Sequence, residues 1–256
     1  MGEFTADWLA MREAHDHVAR SQELRDAFLA TLPSEPRLVE LGAGTGSGIR
    51  WLRRGSPNAR WIAVDHDVEL LRKLPADVAT AVHDLRDLES LHIDVDGVCC
   101  QALLDLFSYG ALAQLAAWVC SREVPLLAGL TVDGRVRWTP EDPADEAVQA
   151  AFRLHQNTDR GFGPSPGWRA ASIVADELRM RGYRVMLDRA DWEVLPAEVD
   201  LLTHMIEGTA AAAAEIHPTP DVVRGWRSRR LASMADLNLT VGHVDLLALP
   251  LSATVR

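Results

Sequence analysis

Val39-Glu40-Leu41-Gly42-Ala43-Gly44-Thr45-Gly46 is the stretch of sequence that decides the fold. An apolar strand candidate, 37–41, runs into three glycines at alternate positions, and 47–54 has the pattern of a short helix that ends before Gly55 and Pro57. Glycine tolerates positive φ values and lets a backbone come close to a ligand, so such a turn can direct backbone N–H groups at a bound molecule. The stretch predicts a strand, a ligand-contacting turn and a helix.

Strand and helix patterns alternate along the rest of the chain. Further strands are predicted at 60–64, 78–82, 95–100, 124–130, 184–187 and 239–249, with helices at 68–74, 107–120 and 168–181. This alternation is typical of βαβ units, in which helices cover a mostly parallel sheet. We predict an α/β fold with a doubly wound, seven-stranded, mostly parallel sheet. Its last strand is expected to run antiparallel and to close one edge.

Three segments extend this repeat into a single predicted domain, 1–256. An N-terminal helical cap, 1–33, is expected to be broken near Ser21. A lid-like insert, 139–167, combines a polar helix at 145–156 with a loop dense in turn-forming residues, and loops of that length usually cover a site. The C-terminal half, 168–256, contains an apolar stripe over about 197–235 that predicts an inserted α-hairpin before the last strand.

Composition restricts the classes of partner. The formal charge is −11, from 37 acidic and 26 basic side chains, so a nucleic acid backbone would be repelled and no nucleic acid partner is expected. The first thirty residues lack an apolar targeting core, and no stretch of eighteen apolar residues occurs, so no membrane partner is expected. Cys99, Cys100 and Cys120 lack C-x-x-C spacing and are expected to be buried free thiols. These features predict a cytoplasmic protein, monomeric or homodimeric.

Acidic residues around the glycine turn indicate the kind of ligand. The sequence does not match the dinucleotide fingerprint G-x-G-x-x-G, because the third glycine position is Ser47 when counted from Gly42 and Ile49 when counted from Gly44. A P-loop is excluded as well, because no Gly-Lys-Ser/Thr follows. Glu40 would repel a pyrophosphate but suits a cationic amino group such as that of S-adenosylmethionine. Asp65, at the end of the second strand, suits a ribose diol, and Asp84, after the third, suits an adenine amine. Three carboxylates at successive strand ends predict one crevice where the sheet order reverses.

These segments resemble the signatures of class I S-adenosylmethionine-dependent methyltransferases. Glu40-Leu41-Gly42-Ala43-Gly44-Thr45-Gly46 is similar to the first signature, Val64-Asp65-His66-Asp67 to the second and His83-Asp84-Leu85 to the third. The resemblance extends to about residue 130 and implies a Rossmann-like methyltransferase fold in which 34–131 is the cofactor-binding half. It implies that the turn holds the amino acid part of S-adenosyl-L-methionine, Asp65 the ribose and Asp84 the adenine.

The cofactor-binding residues expected on this basis are Glu40, Gly42, Ala43, Gly44, Gly46, Asp65, His66, Asp84, Leu85 and Gln101. Gln101 is equally well interpreted as a polar strand end facing water. The segment 101–107 lacks the Asn/Asp-Pro-Pro-aromatic tetrad of enzymes that methylate amide or ring nitrogens in nucleic acids or proteins. A small-molecule acceptor is therefore favoured by elimination.

Candidates for a catalytic base come from the segments expected to cover the crevice. Methyl transfer from a sulfonium needs a base only when the nucleophile carries a proton, because orientation and desolvation supply much of the acceleration. His155, Asp159 and His15 are the candidates, with Arg12 beside His15; Asp105 and Tyr109 follow. For each residue taken singly, an exposed polar group of a helix is the simpler interpretation.

Other site types receive less support. No metal site is expected, because His15 and His17 face different directions on one helix, and His204 and His217 have no carboxylate at ligand spacing. Trp8, Trp168, Trp192 and Trp226 either line an aromatic acceptor pocket or belong to the core. The predicted function is methyl transfer from S-adenosylmethionine to O, N or C of a small organic molecule. A non-catalytic sensor or scaffold subunit is the alternative, and nicotinamide-dependent reduction rests on fold analogy alone.

Overall fold

The computed structural model describes residues 4–159 and 161–251. The predicted boundaries at residues 1–3 and 252–256 and the loop position Arg160 lie outside the described residues. The strands are β1 (Arg37–Leu41), β2 (Arg60–Asp65), β3 (Ala79–Val82), β4 (Gly97–Gln101), β5 (Leu126–Thr139), β6 (Tyr183–Arg189), β7 (Trp192–Val194) and β8 (Asn238–Pro250). The helices are α1 (Ala6–Ala19), α2 (Gln22–Leu29), α3 (Ser47–Arg53), α4 (Val68–Leu71), α5 (Tyr109–Cys120), α6 (Asp145–Gln156), α7 (Ala170–Met180), α8 (Val199–Ile216) and α9 (Pro220–Ala232).

The strands form one sheet in the order β3-β2-β1-β4-β5-β8-β6, and β7 pairs beside this path with β8. Pairs among β1 to β5 are parallel, whereas β8 is antiparallel to β5, β6 and β7. The predicted doubly wound α/β fold is confirmed, as is the antiparallel last strand. Its predicted edge position is wrong, because β8 lies between β5 and β6. The chain doubles back on either side of β1, so the reversal of strand order lies between β1 and β4.

Alternating side chains of the central strands supply two separate cores. Leu38, Trp61 and Cys99 face the side covered by α2, α3 and α4. Val39 and Val98 face the side covered by α5 and α7. Both faces of a parallel sheet must be buried, and β1 is accordingly buried at every position after Arg37. Cys99 and Cys100 are buried free thiols as predicted, and the thiol of Cys120 is also free but only partly buried.

The ends of β5 and β8 extend beyond the main sheet and carry a third core. β5 runs to Thr139, well past its predicted end, because apolar and polar residues alternate over its second half. Two shifts of register bend the β5–β8 pair, and β7, which the sequence did not predict, pairs with the first part of β8. The predicted helix at 145–156 and the predicted hairpin are both confirmed as α6 and as α8 with α9. These helices pack on the extended strands, so the two inserts form one helical layer.

Polar contacts join α6 to α9 inside this layer. Trp226 Nε1 donates to Asp145 Oδ1 at 2.7 Å, and the Trp138 and Trp226 rings meet edge to face at 5.5 Å. The buried Arg230 guanidinium pairs with Asp145 and donates to the Pro140 carbonyl at 2.6 Å. A charge-assisted, hydrogen-bonded arginine at this depth fixes the relative position of the helices.

The N-terminal cap is attached to the sheet at its predicted break. Ser21 begins α2 as its N-cap, since its Oγ accepts from the N–H of Leu24 at 3.2 Å. The Ser21 N–H donates to Asp245 Oδ2 at 2.8 Å, and the Leu130 N–H donates to Asp245 Oδ1 at 2.7 Å. Asp245 of β8 therefore joins the cap, β5 and β8 through one buried carboxylate.

We expect Asp245→Ala to lower the free energy of unfolding by at least about 2 kcal/mol, because it leaves two buried N–H donors without acceptors. Urea denaturation measures the loss. Asp188→Ala is the control: this exposed residue accepts from the Ser21 hydroxyl at 2.6 Å and from the exposed Arg189 N–H at 2.8 Å, and its loss should cost less than about 1 kcal/mol. Equal losses in the two variants would contradict this role of Asp245.

Candidate functional site

The glycine turn closes over the carboxyl end of β1. Gly42, Gly44 and Gly46 have φ values of +64°, +52° and +81°, which L side chains rarely adopt. The Gly44 N–H donates to Asp65 Oδ2 at 2.8 Å, and the Ala43 N–H donates to the Val64 carbonyl at 3.0 Å. The turn is thus held against the end of β2, and it exposes its backbone where the order of the strands reverses.

A cleft opens beside this turn, which we call the glycine-turn cleft. It encloses about 1160 Å³ of space, counted to its open mouth. Its lining consists of Phe4, Leu9, Arg12, Gly42, Gly44, Asp65, His66, Asp67, Leu70, Asp84, Leu85, Gln101, Ala102, Leu103, Leu106 and Phe162. The carboxyl ends of β1 to β4 therefore contribute to one cleft, and α1 and the loop after α6 close its sides.

Asp65 and Asp84, the predicted ligands of the second and third strand ends, both line the cleft. Each Asp65 oxygen accepts one backbone N–H, from Gly44 at 2.8 Å and from Asp67 at 3.0 Å, which leaves lone pairs for a ligand. Asp84 accepts Arg86 Nε at 2.8 Å and the Arg86 backbone N–H at 2.9 Å. The Arg86 contacts lower the pKa of Asp84 to about 2. Asp84 is therefore ionised, but its oxygens already accept hydrogen bonds from Arg86.

Glu40 does not line the cleft but lies beneath the turn, buried to 1% exposure. A methyl group on Gly48 would lie 2.0 Å from Glu40 Oε1, so glycine at this position lets α3 pack onto the carboxylate. Burial raises the pKa of Glu40 to about 7, although Arg20 and Arg50 oppose the rise. Glu40 Oε2 and both amide atoms of Gln101 lack hydrogen-bond partners among the residues that the structure describes. Unpaired polar groups thus underlie the floor of the cleft.

The other predicted cofactor residues divide between the lining and the turn itself. His66 and Leu85 line the cleft, with His66 Nδ1 3.3 Å from Asp65 Oδ1. Ala43 and Gly46 belong to the turn but not to the lining. The sequence did not suggest Leu103, Leu106 or Phe162, because apolar residues in loops carry no signal that separates a lining from a core.

A second cavity lies against the first, and we call it the tryptophan cavity after Trp8, Trp138 and Trp192. It encloses about 930 Å³ of space, again counted to its mouth. Phe4, Arg12, Ala102 and Leu106 line both cavities and form their shared wall. The remaining lining is Trp8, Asp105, Leu130, Val132, Gly134, Arg135, Val136, Trp138, Gln149, Phe152, Arg153, Gln156, Trp192, Met205, Thr209, Val241, Gly242 and His243.

Strained backbone lies where the two cavities meet the sheet. Ala102, just after β4, has a φ of +48°, and Leu130, at the bend of β5, has a φ of +57°. Positive φ values in residues with side chains store strain and cluster at functional sites. The Ala102 N–H donates to the Gly129 carbonyl at 2.9 Å, and the Leu130 N–H donates to Asp245, so hydrogen bonds hold both residues in place.

His243 of β8 is a titratable side chain of the tryptophan cavity that the sequence did not suggest. Its Nδ1 lies 3.0 Å from the Val241 carbonyl, which can only accept, so Nδ1 carries the hydrogen and Nε2 carries the lone pair. Burial, with a contribution from Arg12, lowers the pKa of His243 to about 4. The cavity therefore contains a neutral imidazole at physiological pH.

The predicted base candidates lie elsewhere. His155 Nε2 is 3.2 Å from Glu215 Oε2, and His15 Nε2 is 2.8 Å from Glu198 Oε1; neither histidine lines a cavity. Asp159 accepts the N–H groups of Gly161 and Gly163 at 2.7 and 2.8 Å and thus shapes its own loop.

Of the remaining candidates for the base and its neighbours, some line a cavity and one does not. Asp105 lines the tryptophan cavity, whereas Tyr109 lies outside both linings. Arg12 lines both cavities, with its guanidinium 4.8 Å from the Trp192 ring centre.

Two of the four tryptophans singled out by sequence line the tryptophan cavity. Trp8 and Trp192 do so, whereas Trp226 belongs to the third core and Trp168 is 45% exposed. Trp138 was missed because it lies beyond the predicted end of β5, and His243 was missed because nothing in the predicted strand 239–249 shows which of its residues line a cavity. Across 4–159 and 161–251, no group of three or more His, Cys, Asp or Glu side chains is arranged to hold a metal ion. In the same residues, no helix combines the length and apolarity needed to cross a membrane.

Comparison with known proteins identifies the fold. No protein-family model and no curated protein sequence matches the chain. A cyclopropane-fatty-acyl-phospholipid synthase-like protein from Lactobacillus casei is 14% identical, with a TM-score of 0.53 over 96% of this chain and 94% of that one. A cyclopropane synthase from Mycobacterium tuberculosis is 12% identical, with a TM-score of 0.49 over 97% of this chain and 87% of that one.

Human N-acetylserotonin methyltransferase, in a complex with S-adenosylmethionine, is 12% identical, with a TM-score of 0.45 over 69% of this chain. The match spans about half, 48%, of the human protein. At such identities the likeness concerns the fold alone. The chain has the Rossmann-like fold of the class I S-adenosylmethionine-dependent methyltransferases.

The raised pKa of Glu40 predicts a pH-dependent stability. Its folded pKa of about 7 lies above its unfolded value of 4.5, so the folded protein holds an extra proton between these values. The contribution of this proton to stability is lost as the pH rises through 7. We expect Glu40→Gln to gain about 1–3 kcal/mol relative to the wild type between pH 5 and pH 8, as measured by urea denaturation. Glu89→Gln, on an exposed residue, is the control. A pH-independent difference for Glu40→Gln would show that Glu40 is ionised throughout.

Proposed function

We propose that this protein transfers a methyl group from S-adenosyl-L-methionine to a small organic acceptor. The observation that carries the proposal is the pair of adjoining cavities: a cleft at the glycine turn and a tryptophan cavity on the other side of a wall made by Phe4, Arg12, Ala102 and Leu106. Methyl transfer needs two ligands in contact, one in each compartment, and this arrangement provides a place for both.

The residues of the glycine-turn cleft fit S-adenosylmethionine. The positive-φ glycines present the turn backbone to the amino acid part, and Asp65 retains lone pairs that suit the two ribose hydroxyls. Leu70, Leu85 and Leu103 supply apolar surface for the adenine, with Asp84 at the rim for its amine.

Glu40 acts from beneath the turn in this proposal. Its carboxyl group supports α3, and with a pKa of about 7 it can ionise when the cationic amino group of the ligand binds above it, which sets a negative potential under the floor. Gln101 lies beside Glu40 and lines the cleft, so its unpaired amide is available to the amino acid part of the ligand. Both residues remain in the proposed cofactor set.

The chemistry that the cofactor supplies when bound is a methyl carbon on a sulfonium, open to in-line attack by an acceptor with release of a neutral thioether. The protein positions the acceptor in the tryptophan cavity, where the aromatic walls exclude water. An acceptor hydroxyl or amine gives up its proton as the new bond forms. His243 is the proposed recipient, because its neutral Nε2 has a lone pair and the ring lines the cavity.

Asp65→Ala tests the cofactor half of the proposal. We expect it to weaken binding of S-adenosylmethionine and of its demethylated product by about 1–3 kcal/mol, through lost hydrogen bonds to the ribose. Isothermal titration calorimetry measures both. Asp65→Asn, which keeps the shape of the side chain, should fall between Ala and wild type. Asp94→Ala, an exposed acid paired with Arg37 at the opposite end of β1, should bind like the wild type. No heat with either sulfur compound in the wild-type protein would refute the proposal.

His243→Phe tests the proposed base. With methyl-labelled cofactor and a pool of small metabolites, we expect the rate of label transfer to fall about 10²–10⁴-fold while calorimetric affinity for the demethylated product is unchanged. His155→Phe and His15→Phe, which change histidines outside the two cavities, should retain most of the activity. Loss of activity in His155→Phe but not in His243→Phe would contradict this role of His243 and would place the base in the insert 139–167.

A further inference from the structure

We propose that the tryptophan cavity takes a planar aromatic acceptor that carries a carboxylate, and that Arg153 binds the carboxylate. This inference rests on the proposed function, because it treats the cavity as the acceptor compartment. It goes further by naming the chemical class of the acceptor and the residue that selects it. Three features of the cavity support this proposal: its aromatic walls, the residues on one face of α6, and whether each of its arginines has an acidic partner.

The walls of the cavity suit a flat apolar body. The rings of Trp8, Trp138, Trp192 and Phe152 all line it. Trp8 and Trp192 meet edge to face at 6.4 Å, and His204 stacks on Trp8 at 4.2 Å, so these rings are held by neighbours. Rigid aromatic surfaces favour offset or edge-to-face contacts with another ring. The cavity therefore offers more to an aromatic system than to a flexible chain.

One face of α6 supplies four residues of the lining, three of them polar. Gln149, Phe152, Arg153 and Gln156 follow one another at spacings of three, one and three, which places them on the same side of a helix. This face presents amides, a ring and a cation, but no acid. The acidic residue of the same helix that packs inward, Asp145, is engaged by Trp226 and Arg230. The α6 side of the cavity is therefore neutral to positive.

Three arginines line the cavity, and two of them already have counter-ions. Arg12 donates to both carboxylate oxygens of Asp16 at 3.1–3.2 Å. Arg135 donates to Asp191 through two nitrogens at 2.7 and 2.8 Å and also pairs with Asp133. Arg153 has no acidic partner among residues 4–159 and 161–251.

A half-buried guanidinium without a counter-ion is a ready site for an anion. Its planar fork matches the two oxygens of a carboxylate, and charge-assisted pairs of this kind are stronger than neutral hydrogen bonds. The acid of the lining, Asp105, directly precedes Leu106 of the shared wall in the chain, and Arg153 is not part of that wall. An acceptor with its carboxylate on Arg153 therefore directs its other end towards the shared wall and the cofactor.

Calorimetry on protein saturated with the demethylated cofactor product tests this inference. Binding of that product tests the proposed function by itself, so the two can fail separately. The probes are 2-naphthoate, 2-naphthamide, which has the same shape without the charge, and decanoate, which has the charge without the ring. The variants are Arg153→Gln, Arg153→Lys and, as a matched loss of one charge, Arg137→Gln, an exposed arginine of β5 outside the cavity.

We expect 2-naphthoate to bind about tenfold or more tightly than either other probe. Arg153→Gln should weaken 2-naphthoate about ten- to hundredfold, leave 2-naphthamide unchanged and abolish the preference, because a hydrogen-bonded charge pair is lost. Arg153→Lys should keep part of the preference, and Arg137→Gln should keep all of it. The inference is overturned if no probe binds, if 2-naphthamide or decanoate matches 2-naphthoate, or if Arg153→Gln binds 2-naphthoate like the wild type.

Discussion

The hydrogen bond between the Gly44 N–H and Asp65 is the contact on which the rest of the site depends. At 2.8 Å it joins the turn after β1 to the end of β2 and so fixes the floor of the cleft. Parallel strands bring their carboxyl ends to one edge, but they do not decide how the loops that follow are arranged. Here the Asp65 carboxylate arranges them. It accepts the Gly44 N–H of the turn and the Asp67 N–H at the start of the next helix, and it still lines the cleft.

The tryptophan cavity depends on another feature, the extension of β5 and β8 beyond the main sheet. The extended strands place Trp138 and His243 opposite α1, and they carry the helical layer of α6, α8 and α9 that closes the cavity. Asp245 anchors this part by holding the N-terminal cap and the bend of β5 together. The cap, the strand bend and the helical layer thus together shape the tryptophan cavity, whereas the glycine-turn cleft is formed by the sheet, its loops and α1.

Most of the fold could be predicted from sequence because local signals determine it. The apolar runs of β1, β2 and β4, the glycine turn and the N-cap residue Ser21 each act over a few residues, and each gave an element near its observed place. The position of β8 between β5 and β6 could not be predicted, because strand order depends on contacts between distant residues. β7 was missed since three residues are too few to show an alternating pattern.

The residues of the site also fall into two groups: those that local sequence signals indicate and those that only the packing brings together. Asp65, Asp84, Gly42 and Gly44 could be predicted as one group because they lie at or just after the ends of predicted strands, and all four line the cleft. Gly46 belongs to the turn but not to the lining, and Glu40 lies below the cleft rather than in its wall. Arg153 and His243 line one cavity only because the fold brings α6 and β8 to it from distant parts of the chain, which no short pattern encodes. We propose that the two compartments are one active site. A crystal structure with S-adenosylhomocysteine tests it most directly: the sulfur should lie at the wall formed by Ala102 and Leu106, facing the tryptophan cavity. A ligand bound elsewhere, or a sulfur turned away from that wall, would contradict it.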